Sequence, residues 1–132
     1  IVNMSGQTYS PPAGVTYISI IMDDTDISGR VEDYIVKFSA AAQSILRARL
    51  EGRRVLVHCM AGVNRSATAV MWYLINRGYD FDQAYLLLSR ANATRSVPLL
   101  TNGSFVGLLK TKHMLMEHDS QPSLHLGRLI KG

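Results

Sequence analysis

The residues best suited to chemistry in this chain lie in one short stretch, VLVHCMAGVNRSATAV, residues 55–70. It contains His58, the single cysteine Cys59, Gly62, Asn64, Arg65 and Ser66. An apolar run leads into Cys59 and another follows Ser66, so the thiol should end a strand and a helix should start near Arg65. Met60, Ala61, Gly62, Val63 and Asn64 then form the loop between them. A loop closing on a helix N-terminus aims several backbone N–H groups at one point, and the helix dipole adds partial positive charge there. Such a nest takes an anion, and phosphate fits it. Gly62 can supply the positive φ that curls the loop, and Asn64 is among the few other residues that tolerate it.

A thiol in the middle of that nest changes character. Free cysteine titrates near ~8.5, and a helix N-terminus plus a cation lowers that by several units. The resulting thiolate would sit under a bound phosphate, in line for attack on phosphorus. Arg65 offers a planar fork for two phosphate oxygens. Ser66 is expected to donate its hydroxyl to the sulfur and help it leave. His58 is expected to orient the loop, since a thiolate needs no base. Cys59 and Arg65 are therefore the catalytic candidates, and Met60, Ala61, Gly62, Val63, Asn64 and Arg65 the phosphate-binding set. A bland alternative exists for each part: a lone cysteine in an apolar stretch is usually a small core residue. The full string outweighs it, because an arginine opening a buried helix is costly without an anionic partner.

Several elements must position this loop. Residues 15–22, VTYISIIM, are rich in β-branched side chains after a Pro-Pro-Ala-Gly loop and predict a strand. Residues 31–50 repeat apolar positions at helical spacing, and Gly52 should end that helix. Residues 55–57 form a short apolar strand suited to the middle of a sheet. Residues 66–75 are apolar almost all round, which predicts a helix buried on most sides. Asp80 and Gln83 form a capping-box pair for a helix over 81–90. A last helix is expected over 103–116. Trp72, Tyr73 and Tyr85 fall at helical spacings that suit the core. Alternating strands and helices predict an α/β fold, a central, mostly parallel sheet flanked by helices.

The 132 residues are sized for one domain, and 47% apolar against 18% charged content supports a core. The net charge of +4 favours anionic partners without the long basic runs of a nucleic-acid binder. Arg47, Arg49, Arg53 and Arg54 form a basic cluster, read first as a solvated face and second as an attractor of acidic substrates. One cysteine cannot make an internal disulfide, which fits a reducing compartment, cytoplasmic or nuclear. No stretch reaches membrane-span length. His113, His118 and His125 have no metal-ligand spacing, so no metal and no cofactor are expected. The chain starts at Ile1 without a methionine, and Ile1-Val2 read as a strand entered part-way, so an N-terminal truncation is expected.

HCMAGVNRS matches the His-Cys-x5-Arg-Ser signature, so the chain resembles the cysteine-dependent dual-specificity protein phosphatases. The Asn before the Arg is similar to compact viral-type members. IVNMSG resembles that family's IlNvt strand, and TNGSFVGLL at 101–109 resembles its PNxxFxxqL stretch, with Thr101 replacing the proline. Two departures stand out: the further strand or two and the helix that usually precede IlNvt are absent, and SRANATRSVP replaces the usual Arg-Pro. The resemblance implies a catalytic domain over residues 1–117, a tail over 118–132, a phosphoryl substrate, a phosphocysteine intermediate, hydrolysis by water, and no metal.

Ester cleavage also needs a proton for the leaving oxygen. Asp23, Asp24 and Asp26 all follow the 15–22 strand. The family's Tyr-x-x-Ile-x-x-x-Asp pattern falls on Tyr17, Ile20 and Asp24, which makes Asp24 the first choice. Asp23 should point to the opposite face if the strand continues. A short chain leaves a shallow pocket, so both phosphotyrosine and phosphoserine/threonine proteins are expected substrates. The alternatives are a phosphatase of the RNA 5′ end, whose relatives tend to carry Thr-His at the Met60-Ala61 positions, and a pseudophosphatase that only binds phosphorylated partners.

Overall fold

The structure is a computed structural model, and it describes residues 1–60, 63–93 and 98–120. The elements run β1 (Val2–Asn3), β2 (Ile18–Ser19), α1 (Val31–Leu50), β3 (Val57–His58), α2 (Arg65–Asn76), α3 (Phe81–Ala91) and α4 (Gly103–Ser120). The described strands form one parallel sheet in the order β2-β1-β3. Val2 is in register with both Ile18 and Val57. This is the open α/β architecture expected from the sequence.

The strands are shorter than predicted. Of residues 15–22, only Ile18 and Ser19 join the ladder. β2 lies at an edge of the described sheet, paired with β1; Ile18 N–H donates to the Ile1 carbonyl and Ile20 N–H to that of Asn3 before the chain turns away. β3 starts two residues later than the expected 55–57 and ends one residue later. It also lies at an edge of the described sheet, and Leu56 is exposed. The central strand is β1, whose Val2 and Asn3 are both buried. All three strands run toward the same end of the sheet, so Ser5, Asp24 and Cys59 follow their exits together.

The helices match their sequence signals closely. Val31–Leu50 is helical and Gly52, at φ +72°, ends it in the left-handed region where glycine carries no Cβ penalty. Asp80 Oδ1 accepts from Gln83 N–H at 2.7 Å, and Gln83 Oε1 accepts from Asp80 N–H at 3.0 Å, completing the capping box of α3. The last helix continues past Met116 to Ser120; residues 121–132 of the expected tail lie outside the described residues.

The core forms where α1 and α2 cover the sheet. Phe38 is fully buried, with its ring 5.8 Å from Trp72 and 5.2 Å from Phe105 of α4. In α2 the buried residues are Ser66, Ala67, Thr68, Ala69, Met71, Trp72 and Ile75, as the all-round apolar pattern predicted. Tyr85 departs from expectation: it is exposed and stacks on Phe81 at 6.2 Å, because the inward position of α3 goes to Ala84. Lys112 lies 4.4 Å above the Trp72 ring, and burial lowers its ammonium below the ordinary lysine value.

Candidate active site

Cys59 directly follows β3 and Arg65 opens α2, as the strand–loop–helix pattern required. Cys59 is half-buried, and its Sγ lies 3.3 Å from Ser66 Oγ, within hydrogen-bond reach for sulfur. Of the predicted phosphate-binding residues, Ala61 and Gly62 lie outside the described residues. Met60 is exposed at the loop's rim, Val63 is half-buried and Asn64 is buried.

Arg65 is held by its outer end. Nη1 donates to the Met22 carbonyl at 2.9 Å and the Ser5 carbonyl at 3.3 Å, tying the guanidinium to the segments leaving β2 and β1. Its Nε is buried and has no hydrogen-bond partner among the described residues. The ion pairs Lys37–Asp33 and Arg53–Glu51 do not involve Arg65. A buried donor without an acceptor costs about 1–3 kcal/mol, and more when charged. An oxyanion beside Cys59 would meet that need.

Asn64 does not adopt the left-handed backbone that its residue type tolerates; its φ is −118°. Instead its side chain joins three segments. Nδ2 donates to Asp24 Oδ2 at 2.7 Å and to Thr101 Oγ1 at 3.1 Å, and Oδ1 accepts from Asn102 N–H at 2.9 Å. Leu100 reinforces the junction: its N–H donates to the Val63 carbonyl at 2.9 Å while its own φ is +57°. A leucine in that region is strained by roughly 1–3 kcal/mol, and the surrounding contacts must hold it there.

The three aspartates are placed differently. Asp24 is attached to the Cys59–Arg65 loop through Asn64, and its other oxygen, Oδ1, accepts from Asn102 Nδ2 at 2.8 Å. Asp23 is anchored through its backbone, whose N–H and carbonyl both meet the Tyr34 hydroxyl of α1. Asp26 folds onto its own turn, accepting from the Ser28 hydroxyl at 2.7 Å and Ser28 N–H at 2.9 Å. Those bonds hold its carboxyl below the usual aspartate value.

His58 Nε2 lies 2.7 Å from the Tyr9 hydroxyl. Tyr9 packs edge-on against Tyr17, whose hydroxyl accepts from Asn3 Nδ2 at 2.9 Å. Fully buried Asn3 also accepts from Ser5 N–H and Ser5 Oγ, setting the turn whose carbonyl anchors Arg65. Asn3, Ser5, Tyr9 and Asn102 were not singled out from the sequence as site residues. An asparagine between apolar residues in a buried strand was the one available signal. The basic cluster lies elsewhere. Arg47, Arg53 and Arg54 line a groove of about 430 Å³ with Ile1, Thr16 and Val55, at the strand entries opposite Cys59.

Fold and loop together define an open α/β protein with a Cys-x5-Arg loop at the strand exits. The model of the family described as "Dual specificity phosphatase, catalytic domain" matches residues 1–118, and the chain belongs to that family. Among curated relatives, it is 43% identical over 63 residues to bovine dual specificity protein phosphatase 26, covering 47% of this chain and 28% of that one. It is 40% identical over 58 residues to Drosophila melanogaster dual specificity protein phosphatase Mpk3, covering 43% of this chain and 14% of the relative. The fold is similar to that of human DUSP28, with a TM-score of 0.73 at 22% identity over 90% of this chain and 79% of the other. It is also similar to the Orf virus tyrosine phosphatase OH1, described as having triple substrate specificity. That match has a TM-score of 0.61 at 28% identity over 82% of this chain and 65% of the other. Among the described residues no helix is long and apolar enough to cross a membrane.

Proposed function

We propose that the protein hydrolyses phosphotyrosine and phosphoserine/threonine in proteins through a phosphocysteine intermediate. The observation that carries this reading is Arg65, fastened through Nη1 with its buried Nε unsatisfied, six positions after a cysteine paired with Ser66. In the first step Cys59 Sγ attacks phosphorus in line, forming an S–P bond as the bond to the leaving oxygen breaks. Asp24 gives its proton to that oxygen, and Arg65 binds the equatorial oxygens where charge gathers. In the second step water attacks phosphorus, Asp24 takes a water proton, and the S–P bond breaks with the Ser66 hydroxyl hydrogen-bonded to the departing sulfur.

Membership of the dual specificity phosphatase family supports the reaction class. The acid assignment rests on Asp24 being attached to the loop that carries Arg65, whereas Asp26 is engaged with Ser28. Phosphate release from phosphotyrosine and phosphothreonine peptides, run beside a 5′-triphosphorylated RNA, tests the substrate class. Turnover of both peptides is expected. Turnover of the RNA alone would transfer the reading to RNA ends, and no turnover by folded protein would make it a phospho-binding module.

A further inference from the structure

We propose that Asn64 and Asn102 are positioning residues, a two-amide clamp that sets Asp24 against the nucleophile loop before substrate arrives. The proposal rests on the reading of Asp24 as proton donor. Each carboxylate oxygen of Asp24 accepts from a different amide, Oδ2 from Asn64 Nδ2 at 2.7 Å and Oδ1 from Asn102 Nδ2 at 2.8 Å. Neither amide is free to reverse. Asn64 Oδ1 accepts the backbone N–H of Asn102 at 2.9 Å, and a backbone N–H can only donate. Asn102 Oδ1 caps α4, accepting Ser104 N–H at 3.0 Å and Phe105 N–H at 3.2 Å. Backbone donors thus lock both NH2 groups toward the carboxylate. Asn102 Nδ2 also donates to the Thr25 carbonyl at 2.9 Å, so the clamp holds the acid's backbone as well as its side chain.

The arrangement has a mechanical consequence. Asp24, the residue before Arg65 and the start of α4 are joined into one unit, with strained Leu100 as a further tie to Val63. Two of the roughly four lone-pair directions of the carboxylate are occupied by amides. The others remain for the proton that goes to the leaving group. The acid is therefore preset by α4 and the nucleophile loop. General acids contribute roughly 10²- to 10⁴-fold to rate, and a displaced one forfeits part of that.

The test uses phenyl, para-nitrophenyl and dinitrophenyl phosphates, in order of improving leaving group, with the full chain. Ser is the replacement at both positions, because at 102 it can still cap α4. Asn102→Ser and Asn64→Ser should each lower kcat about tenfold on phenyl phosphate and under twofold on dinitrophenyl phosphate, with KM little changed. In an Asp24→Ala background neither should lower kcat further. Equal losses on all three substrates, or full losses added to Asp24→Ala, would overturn the clamp. If Asp24→Ala itself lowers all substrates equally, the acid assignment fails first, and the clamp with it. Thermal melts establish folding; should buried Asn64→Ser not fold, the half-buried Asn102→Ser decides alone.

Discussion

Replacing Arg65 with lysine keeps the charge and removes the fork. In the wild-type site Nη1 is committed to the Met22 carbonyl at 2.9 Å and the Ser5 carbonyl at 3.3 Å. The buried Nε remains for an oxyanion. A lysine ends in one nitrogen near the centre of the guanidinium, and its three N–H groups must serve both the carbonyl anchors and the phosphoryl oxygens. At least one charge-assisted hydrogen bond to the transition state is lost, and the charge is no longer planar. Losing one such donor costs about 2.7–4 kcal/mol, or ~10²- to 10³-fold in kcat. Oxyanion affinity should fall less, about 10- to 100-fold, for a charged hydrogen bond worth ~1.5–3 kcal/mol. Stability should drop by only about 1 kcal/mol as one carbonyl anchor weakens. The assay is para-nitrophenyl phosphate turnover with vanadate inhibition, beside a denaturant titration. Arg65→Lys turnover within fivefold of wild type would mean that a point charge does the work assigned here to the fork.

Phe38→Ala should cost about 3–5 kcal/mol, since the ring is fully buried against Tyr34, Trp72 and Phe105; urea denaturation would show a loss near half of a typical ~5–15 kcal/mol total. Burial lowers the Lys112 ammonium from its ordinary 10.5, so the native state sheds this proton at lower pH than the unfolded chain. The unfolded state then binds more protons in that window, and stability attributable to Lys112 rises with pH up to 10.5. Melts of wild type against Lys112→Met should show that gain only in the wild type. Arg47→Glu with Arg54→Glu should change kcat/KM on an acidic phosphopeptide less than twofold at physiological salt. These arginines line the groove at the strand entries, and about four residue steps of strand separate that end from Cys59, roughly 13 Å against a Debye length of ~8 Å.

The helices were legible because their signals are local. Asp80 and Gln83 are three residues apart and cap α3, and Gly52 stops α1 where the apolar period ends. The Cys59–Ser66 loop was legible for the same reason, its groups being consecutive between a strand and a helix. The strands were less so. Apolar runs at 15–22 and 55–57 mark chain that is extended or buried, but hydrogen bonding depends on neighbours, and Ile18–Ser19 and Val57–His58 are all that pair. The side-chain contacts of Asn64 were not legible, because its partners Asp24 and Asn102 lie far away in sequence. Nothing periodic marks such a contact. Asn102 lay within a stretch recognised as family-like, yet only the fold brings its amide to Asp24.

The decisive measurement is to stop turnover in alkaline denaturant, where an S–P bond survives, and to weigh the Cys59 peptide by mass spectrometry. The expected product is a Cys59 peptide heavier by one phosphoryl group, stable in alkali, labile in mild acid, and missing from Cys59→Ser. Steady turnover with Cys59 never phosphorylated, or undiminished turnover by Cys59→Ser, would contradict it.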